Sequence, residues 1–464
     1  MKKTQLFILA SILLTAGCSQ TEENFGEGMT LSPDYRAEGY LDPEKETLDD
    51  DDAMTVASLF SKQNQEAATR SNSFPSEEMQ INTIYDQETA SPLLYIVNYG
   101  TDKGFVVISA SKKTSPILAY AREGHLDVND IENSGVACYL EDYRYQVRQV
   151  LADNSDSLRI AHAIEWARFE KGATLPENTR IISEDDFDVN AMMQAEIQRR
   201  TAEGYRYIGT LPSVRQYIPH EDYNQLVSDI ASHAHPSVDY EATSLFFVRD
   251  YTPYDIQPLI NVRWHQRSPF NVDAPNNRAG CIPIAVAQIL YYHQYPTYFD
   301  WANIPSTPTP NDIYNPSFCT FIKDVRNKCE VEYKEGETIS SINKAKNALE
   351  TYGYIVSKYD SFDKNTLKTQ IRQALPVFIG GRNASDTKGH AWVCEGYKYH
   401  TFEGVISMIP NKPVMRYSSR ELFHDSNEMF YMTFGWYSSD DGWFSFPLGN
   451  TYYPNKQKCL TIKK

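Results

Sequence analysis

The spacing of hydrophobic positions in the first third of the chain changes from a helical period to short apolar runs. Near residue 54, apolar side chains recur every three or four positions, which is typical of a helix with one buried face. Two apolar runs around a glycine-containing turn then predict a β-hairpin, because such segments pair with each other. The predicted elements are a helix at 54–60, strands at 93–97, 105–109 and 117–120, and a helix at 136–151. Together they predict a small α+β module over residues 51–150.

The last part of the chain, residues 257–464, has helical spacing first and strand-like runs later. An apolar helix begins at Cys281 and is closed by Tyr295-Pro296. Helices followed by strands are typical of an α+β domain. The later predicted elements are helices at 339–352 and 367–374 and strands at 376–379 and 390–397. Residues 151–256 combine helical patterns with stretches rich in Asp, Pro and Tyr, and we interpret them as a linker or insertion.

The amino terminus resembles a bacterial lipoprotein signal. Lys2 and Lys3 precede a short apolar run, and small residues then lead to Cys18. Because that run is too short to span a bilayer, we expect a signal peptide over 1–17, cleavage before Cys18 and lipid attachment to it. The alternative is an ordinary secretory signal in which Cys18 has no special role. Residues 18–50 are polar and acidic, which predicts a flexible tether.

Charge and cysteine content limit the partners of the chain. The formal net charge is −17 and the sequence pI is about 5.1, so the chain is a poor binder of nucleic acid. We expect the lipid to be its only membrane anchor, in the outer membrane or at the cell surface, with release after processing as a further option. No Cys-x-x-Cys or His-Glu-x-x-His motif occurs, and we expect neither a metal nor a cofactor. The spacing leaves open whether Cys319 and Cys329 form a disulfide.

Cys281 is the first candidate for chemistry. The positive end of a helix dipole lowers the pKa of a thiol at the helix start and favours the nucleophilic thiolate. Gln266, in a polar and turn-rich loop upstream, has a side-chain amide able to donate to an oxyanion. The alternative is a buried cysteine that packs as a small hydrophobic residue.

A thiol nucleophile needs a base, and His390 is the best placed of the ten histidines. It follows a glycine and begins an alternating apolar strand, a position that exposes an imidazole at a strand end. His293 lies about 18 Å along the helix from Cys281 at 1.5 Å per residue, and His265 neighbours the better oxyanion donor. A purely structural role for His390 is the alternative.

Aromatic residues flank a glycine at 434–436, and a second aromatic run ends at 444. Rings beside a Cys/His pair shield and orient an imidazole, whereas rings of this kind are equally typical of a sheet core. The pattern alone leaves both interpretations open.

Three motifs of the last domain occur in the order found in one family of cysteine peptidases. They are Gln266-Arg267-Ser268-Pro269-Phe270-Asn271, the helix from Gly280-Cys281 to Tyr295-Pro296, and Gly389-His390-Ala391-Trp392-Val393 with Gly396-Tyr397. This arrangement resembles the streptopain family of papain-like cysteine peptidases. Segments at 94–98, 104–110, 116–120 and 127–129 likewise resemble the inhibitory pro-domain of that family, and residues 151–256 have no counterpart.

The resemblance implies a papain-like α+β peptidase domain over 257–464, preceded by a small α+β pro-domain over 51–150. Carried over by position, Cys281 is the nucleophile, His390 is the general base and later the acid, and Gln266 contributes to the oxyanion hole.

The family's imidazole-orienting Asn-Trp-Gly-Trp run falls on Thr433, Phe434, Gly435 and Trp436. In the family an Asn amide accepts the imidazole Nδ1–H, whereas Thr433 offers only a hydroxyl. The resemblance therefore implies a role for Thr433, Phe434 and Trp436 in orienting or shielding the ring, with Thr433 as a departure from the family pattern.

The resemblance also implies an activity. We expect a secreted, lipid-anchored cysteine endopeptidase, made as a zymogen, that hydrolyses proteins and peptides through an acyl-thioester on Cys281. Its own pro-domain would inhibit it until cleavage between residues 200 and 257. Thr433 motivates one alternative, a catalytically weak peptidase-like surface binding protein. A further alternative is an acyltransferase in which an amine replaces water.

Overall fold

The computed structural model describes residues 29–30, 40–42, 44–67, 79–128, 135–153, 157–170, 189–211, 215, 218, 223–228, 244–262, 264–274, 278–334, 337–382, 389–409, 418–436, 440–446 and 457–464. The predicted signal peptide, Cys18 and most of the tether lie outside these residues. Within the described ranges, no helix has both the length and the apolar character needed to cross a membrane.

Helices and strands are mixed along the chain, which confirms the α+β prediction. The α-helices are α1 (Asp50–Ala67), α2 (Val136–Ala152), α3 (Ser157–Ala167), α4 (Val189–Ala202), α5 (Cys281–His293), α6 (Pro316–Lys328), α7 (Ile342–Thr351) and α8 (Lys364–Ile371). Short 3₁₀ helices lie at Trp301–Asn303 and Pro310–Tyr314.

The strands include every strand predicted from the sequence. They are β1 (Met29–Thr30), β2 (Met79–Tyr85), β3 (Pro92–Tyr99), β4 (Phe105–Ser109), β5 (Ile117–Ala121), β6 (Arg206–Thr210), β7 (Ser244–Ile256), β8 (Glu332–Lys334), β9 (Glu337–Ile339), β10 (Ile355–Tyr359), β11 (Val377–Arg382), β12 (Gly389–Met408), β13 (Ser418–Thr433), β14 (Gly442–Ser445) and β15 (Lys458–Lys463).

One 13-stranded sheet runs through both halves of the described chain. Its strand order is β1-β2-β3-β4-β5-β14-β13-β12-β11-β15-β10, with β7 beside β12 and β6 beside β7. The two halves meet where β5 pairs with β14, through Tyr120 with Trp443 and Ala119 with Phe444. Gly442 permits this approach, because a Cβ there would meet the Tyr120 carbonyl oxygen at 2.8 Å. The junction fixes the position of one half relative to the other.

The N-terminal module, residues 40–170, packs a helix on each face of its part of the sheet. Side chains alternate along β3, so Leu94 and Ile96 face α2 whereas Tyr95 and Val97 face α1. Burial on both faces explains why this strand is a continuous apolar run in the sequence.

The C-terminal module, residues 244–464, is built around α5 and the long strand β12. Residues 283–290 of α5 are all buried, in a core that α6 and α7 share. The sequence predicted a strand at 390–397, and β12 continues to Met408. Lys398 and Glu403 interrupt the apolar pattern of this extension. They are accommodated by polar partners, the Tyr120 hydroxyl at 3.0 Å and the Arg249 guanidinium at 2.6 Å.

The segment interpreted as a linker divides between the two modules. Residues 157–170 pack on the N-terminal module, where the Trp166 indole donates to the Thr114 carbonyl at 2.7 Å and Lys112 forms a buried ion pair with Glu170 at 2.6 Å. Strand β7 pairs with the extension of β12 over residues 244–256. Residues 157–170 therefore pack with the N-terminal module, and residues 244–256 pair with the C-terminal module.

Cys319 and Cys329 are both free thiols. Cys319 lies in the first turn of α6 and Cys329 is its C-cap, so the helix separates them by about 15 Å at 1.5 Å per residue. A disulfide needs Cα atoms within roughly 7 Å, so a local disulfide is incompatible with this helix.

The buried carboxyl group of Glu395 in β12 links that strand to β13 and to the segment around Ile260. Glu395 accepts hydrogen bonds from the Thr433 hydroxyl of β13 and from the Ile260 backbone N–H. Burial raises the pKa of this carboxyl to about 8, although both hydrogen bonds act in the opposite direction. The folded chain therefore retains a proton that the unfolded chain releases at an ordinary carboxyl pKa.

We predict that Glu395→Gln stabilises the chain at alkaline pH relative to wild type. The favourable contribution of the raised pKa is complete below an unfolded pKa of 4.5 and is lost as the pH rises through about 8. The amide keeps the shape of the carboxyl group and does not titrate. Because the two pKa values differ by about 3.5 units at about 1.4 kcal/mol per unit, the variant should gain on the order of 4 kcal/mol of unfolding free energy over wild type between pH 5 and pH 9. Urea denaturation of the full chain near pH 5 and near pH 9 measures this gap.

The control is the same replacement at Glu350, an exposed carboxylate on α7, and the pH-dependent gap of Glu395→Gln should exceed that of this control. An equal gap at both pH values for Glu395→Gln would show that this carboxyl does not carry a raised pKa.

Candidate active site

Cys281 is the first residue of α5 and lies partly buried at the helix N-terminus. Gly280 before it has a φ of +99°, which side-chain-bearing residues rarely adopt, and a Cβ there would meet the Thr338 side chain at 2.9 Å. The backbone N–H of Ala391 lies near the Cys281 sulfur and acts to lower the pKa of its thiol. The thiol is therefore held against the start of β12, one residue from His390.

His390 is the second residue of β12, and its imidazole stacks against two indole rings. The centroids of the Trp392 and Trp436 rings each lie 6.2 Å from the imidazole centroid, at interplanar angles of 13° and 16°. The imidazole Nε2 lies 2.9 Å from the Phe434 carbonyl oxygen. Since a carbonyl oxygen only accepts, Nε2 is assigned the hydrogen, and Nδ1 of the neutral ring keeps its lone pair. The nitrogen held by a carbonyl is thus Nε2, whereas the resemblance implied Nδ1, and Nδ1 is the nitrogen able to take up a proton.

Burial determines the charge of both groups. It raises the pKa of the Cys281 thiol, and the backbone N–H groups at the sulfur compensate only in part. It also lowers the pKa of His390 to about 4, with the hydrogen bond to Phe434 opposing the shift and the positive charge of Arg278 adding to it. Thiol and imidazole are therefore both neutral near pH 7. Desolvation is the largest influence on the pKa of the thiol, and it opposes the thiolate that a helix start favours.

Gln266 is buried beside the turn that leads into α5. Its backbone carbonyl accepts a hydrogen bond from the Ala279 N–H at 2.7 Å, which ties the Gln266 loop two residues before Cys281. Its side-chain Nε2 is buried without a hydrogen-bond partner in the described parts of the chain. An unsatisfied buried donor costs about 1–3 kcal/mol, which an incoming oxygen would offset. An anionic oxygen formed next to Cys281 is a suitable partner.

The imidazole is oriented by a backbone group, with Thr433 in another role. Thr433 donates its hydroxyl to Glu395, away from the ring. Phe434 supplies the carbonyl that holds Nε2, and its own N–H donates to the Asp441 carboxylate at 2.7 Å. Asp441 is buried and fixes the peptide that orients the ring. Sequence reasoning missed Phe434 as an acceptor and missed Asp441, since residue types do not reveal which main-chain carbonyl faces an imidazole.

Other candidate groups do not join the site as bases. His265 accepts the Arg267 N–H at its Nδ1, at 3.1 Å, and its backbone bridges to Trp436. His293 packs against the Tyr354 ring at 5.6 Å, toward the far end of α5. Over the described ranges, no group of three His, Cys, Asp or Glu residues is placed to hold a metal ion.

The N-terminal module covers the imidazole. Gly135, at the N-terminus of α2, lies so close that a Cβ there would meet the Phe434 ring at 2.3 Å and His390 Cδ2 at 2.8 Å. The Tyr139 ring follows at 6.0 Å from Trp392 and 6.1 Å from Phe434. A residue without a side chain is therefore required at the point of closest approach to the imidazole.

Comparison with known protein families gives one match in the N-terminal part of the chain and a second in the C-terminal part. A family profile described as Spi protease inhibitor matches residues 45–147, and one described as Peptidase C10 family matches residues 297–444. The second match includes His390 and the residues around it, and it begins after Cys281. No curated protein sequence gives a significant match.

Among solved structures, the chain is similar to a fragment of prointerpain A from Prevotella intermedia. The sequence identity is 13%, the TM-score is 0.42, and the alignment covers 82% of this chain and 98% of that one. Because both family profiles match in their order along the chain, the protein belongs to the streptopain (C10) family of cysteine peptidases and carries a Spi-type inhibitor module as its pro-domain.

Proposed function

We propose that this peptidase is an endopeptidase zymogen in which Cys281 is the nucleophile and His390 the general base. The observation that carries the proposal is the contact of the Cys281 sulfur with the Ala391 N–H, next to an imidazole whose Nε2 is fixed by Phe434. A fixed Nε2–H leaves Nδ1 to remove the thiol proton.

The proposed reaction follows from these positions. His390 Nδ1 takes the thiol proton, and the Cys281 sulfur attacks the peptide carbonyl carbon. The resulting oxyanion accepts hydrogen bonds from Gln266 Nε2 and from the Cys281 backbone N–H. The tetrahedral intermediate then expels the amine, which takes the proton from His390, and water hydrolyses the acyl-thioester with His390 again as base.

Inhibition by the pro-domain has a steric and an electrostatic part. Gly135 and Tyr139 exclude substrate, and the same burial favours a neutral thiol and a neutral imidazole. Displacing the module returns water to the site and favours the thiolate–imidazolium pair. Strand β7 belongs to the sheet of the C-terminal module, so we put the activating cleavage on the N-terminal side of Ser244.

Two different measurements separate peptidase activity from its alternatives. We expect Cys281 in full-length protein, nicked before Ser244 and diluted so that the N-terminal module dissociates, to react with iodoacetamide at least about tenfold faster than Cys319. Cys319 is partly buried and serves as the internal reference. Casein cleavage with no transfer to an added amine identifies a hydrolase. Equal labelling of the two cysteines would exclude both the peptidase and the acyltransferase and leave a binding protein.

Gln266→Ala should lower kcat for casein cleavage by about 10²–10³, while labelling of Cys281 by iodoacetamide persists.

Gly135→Ala should activate the unprocessed chain. Its Cβ overlaps Phe434 and His390, so the module is displaced, and casein hydrolysis should rise at least about tenfold, the effect of 1.4 kcal/mol lost from closure. Gly100→Ala is the control, since it strains a turn of the same module at φ +60° without approaching the site, and it should not activate. Activity that persists in the Gly135→Ala/Cys281→Ala double variant would show that the signal does not come from this site.

Export and lipid attachment at Cys18 are a separate part of the proposal, supported by the sequence of the amino terminus. Cys18→Ser should abolish palmitate incorporation and move the protein from the membrane fraction to the soluble fraction. Cys319→Ser is the matched control and should change neither. Unchanged partition of Cys18→Ser would contradict a lipid anchor.

A further inference from the structure

Arg278 is a positively charged group beside the proposed catalytic pair that the mechanism does not use. It precedes Cys281 by three residues, and its side chain is exposed. The guanidinium carbon lies 4.6 Å above the Trp436 ring. The Arg278 carbonyl accepts a hydrogen bond from the Thr338 hydroxyl at 3.0 Å, which fixes the backbone from which the side chain extends.

The position of the imidazole shows which part of a substrate passes this arginine. In the proposed mechanism His390 gives its proton to the departing amine, so the residues after the scissile bond must leave on the imidazole side. Trp436 stacks on that imidazole at 6.2 Å, and Arg278 covers Trp436. An extended peptide advances about 3.3–3.6 Å per residue, so the guanidinium is within reach of the first three residues after the bond.

The charge of Arg278 has no partner of opposite sign among the described residues. Arg249 shows the contrasting case, since it also lies over aromatic rings but is paired with Glu403 at 2.6 Å. A guanidinium held over an indole ring keeps N–H donors available and loses little conformational entropy when it binds. Its donors match the two oxygens of a carboxylate.

We propose that Arg278 is a specificity-determining residue that binds a carboxylate on the leaving-group side of the peptide. The inference rests on the proposed function, because the direction of the substrate follows from His390 as the proton donor. The carboxylate has two possible sources, an Asp or Glu side chain within the first three residues after the bond or the C-terminal carboxylate of a short leaving segment.

Matched peptides test the proposal on full-length protein that has been nicked before Ser244 and diluted so that the N-terminal module dissociates. One set differs only by Asp or Asn at the first, second or third position after the scissile bond, and a second set has a free or an amidated C-terminus there. We expect kcat/KM to favour a carboxylate by about threefold to tenfold in one set, and Arg278→Gln to reduce that ratio to about one. Raised ionic strength should weaken the preference of the wild-type protein.

Arg372→Gln is the matched control. Arg372 is also exposed and lies 4.9 Å over a tyrosine ring, Tyr254, which neighbours Tyr399 in the sheet. The nine residue steps along β12 from His390 to Tyr399 span about 30 Å, so this variant should keep the carboxylate preference. Absence of any preference in wild type, or a preference that survives Arg278→Gln, would overturn the proposal.

Binding separates a failure of this inference from a failure of the proposed function. If the nicked wild-type protein cleaves no peptide, the proposed function fails, and peptides that represent the leaving segment are titrated against nicked Cys281→Ala protein. Tighter binding of Asp than of Asn peptides that is lost in Cys281→Ala/Arg278→Gln supports the carboxylate site. Equal binding of both peptides overturns it. Cleavage without discrimination overturns the role of Arg278 and leaves the peptidase standing.

Discussion

The pairing of β5 with β14 is the constraint on which the closed arrangement depends. It joins the two modules in one hydrogen-bonded sheet and brings the N-terminus of α2 over His390. A shared apolar core reinforces it, since Tyr139 and Leu140 of α2 cluster with Trp392 and Phe444 of the C-terminal module. Closure thus rests on main-chain pairing and apolar burial, whereas the electrostatic state of the site is its consequence.

The sequence predicted most of the elements that build the site. Hydrophobic spacing indicated α1, α2, the β3–β4 hairpin and the start of α5, because those segments bury a regular face. The lengths of β12 and β7 were not predictable in this way. Their polar residues, such as Lys398 and Asp255, interrupt the pattern, and only contacts with distant segments make them compatible with a sheet.

The candidate site shows a similar division. Cys281, His390 and Gln266 are identifiable from residue type, order and resemblance, because their proposed chemistry depends on side chains. The group that holds the imidazole is a main-chain carbonyl of Phe434, fixed in turn by Asp441, and every residue has such a carbonyl. Thr433 in place of the family's Asn is therefore weaker evidence against catalysis than the sequence alone suggested. Its hydroxyl links neighbouring strands through Glu395, and the Phe434 carbonyl holds the imidazole.

The shared sheet has a further consequence for activation. A cut on the N-terminal side of Ser244 breaks one covalent bond but removes none of the pairing between β5 and β14 or the core beneath it. The two fragments are then held together only by non-covalent contacts. The active fraction is set by their dissociation equilibrium and rises on dilution. Proteolysis would therefore only permit activation. Its rate and extent would depend on how quickly the severed module is diluted or degraded.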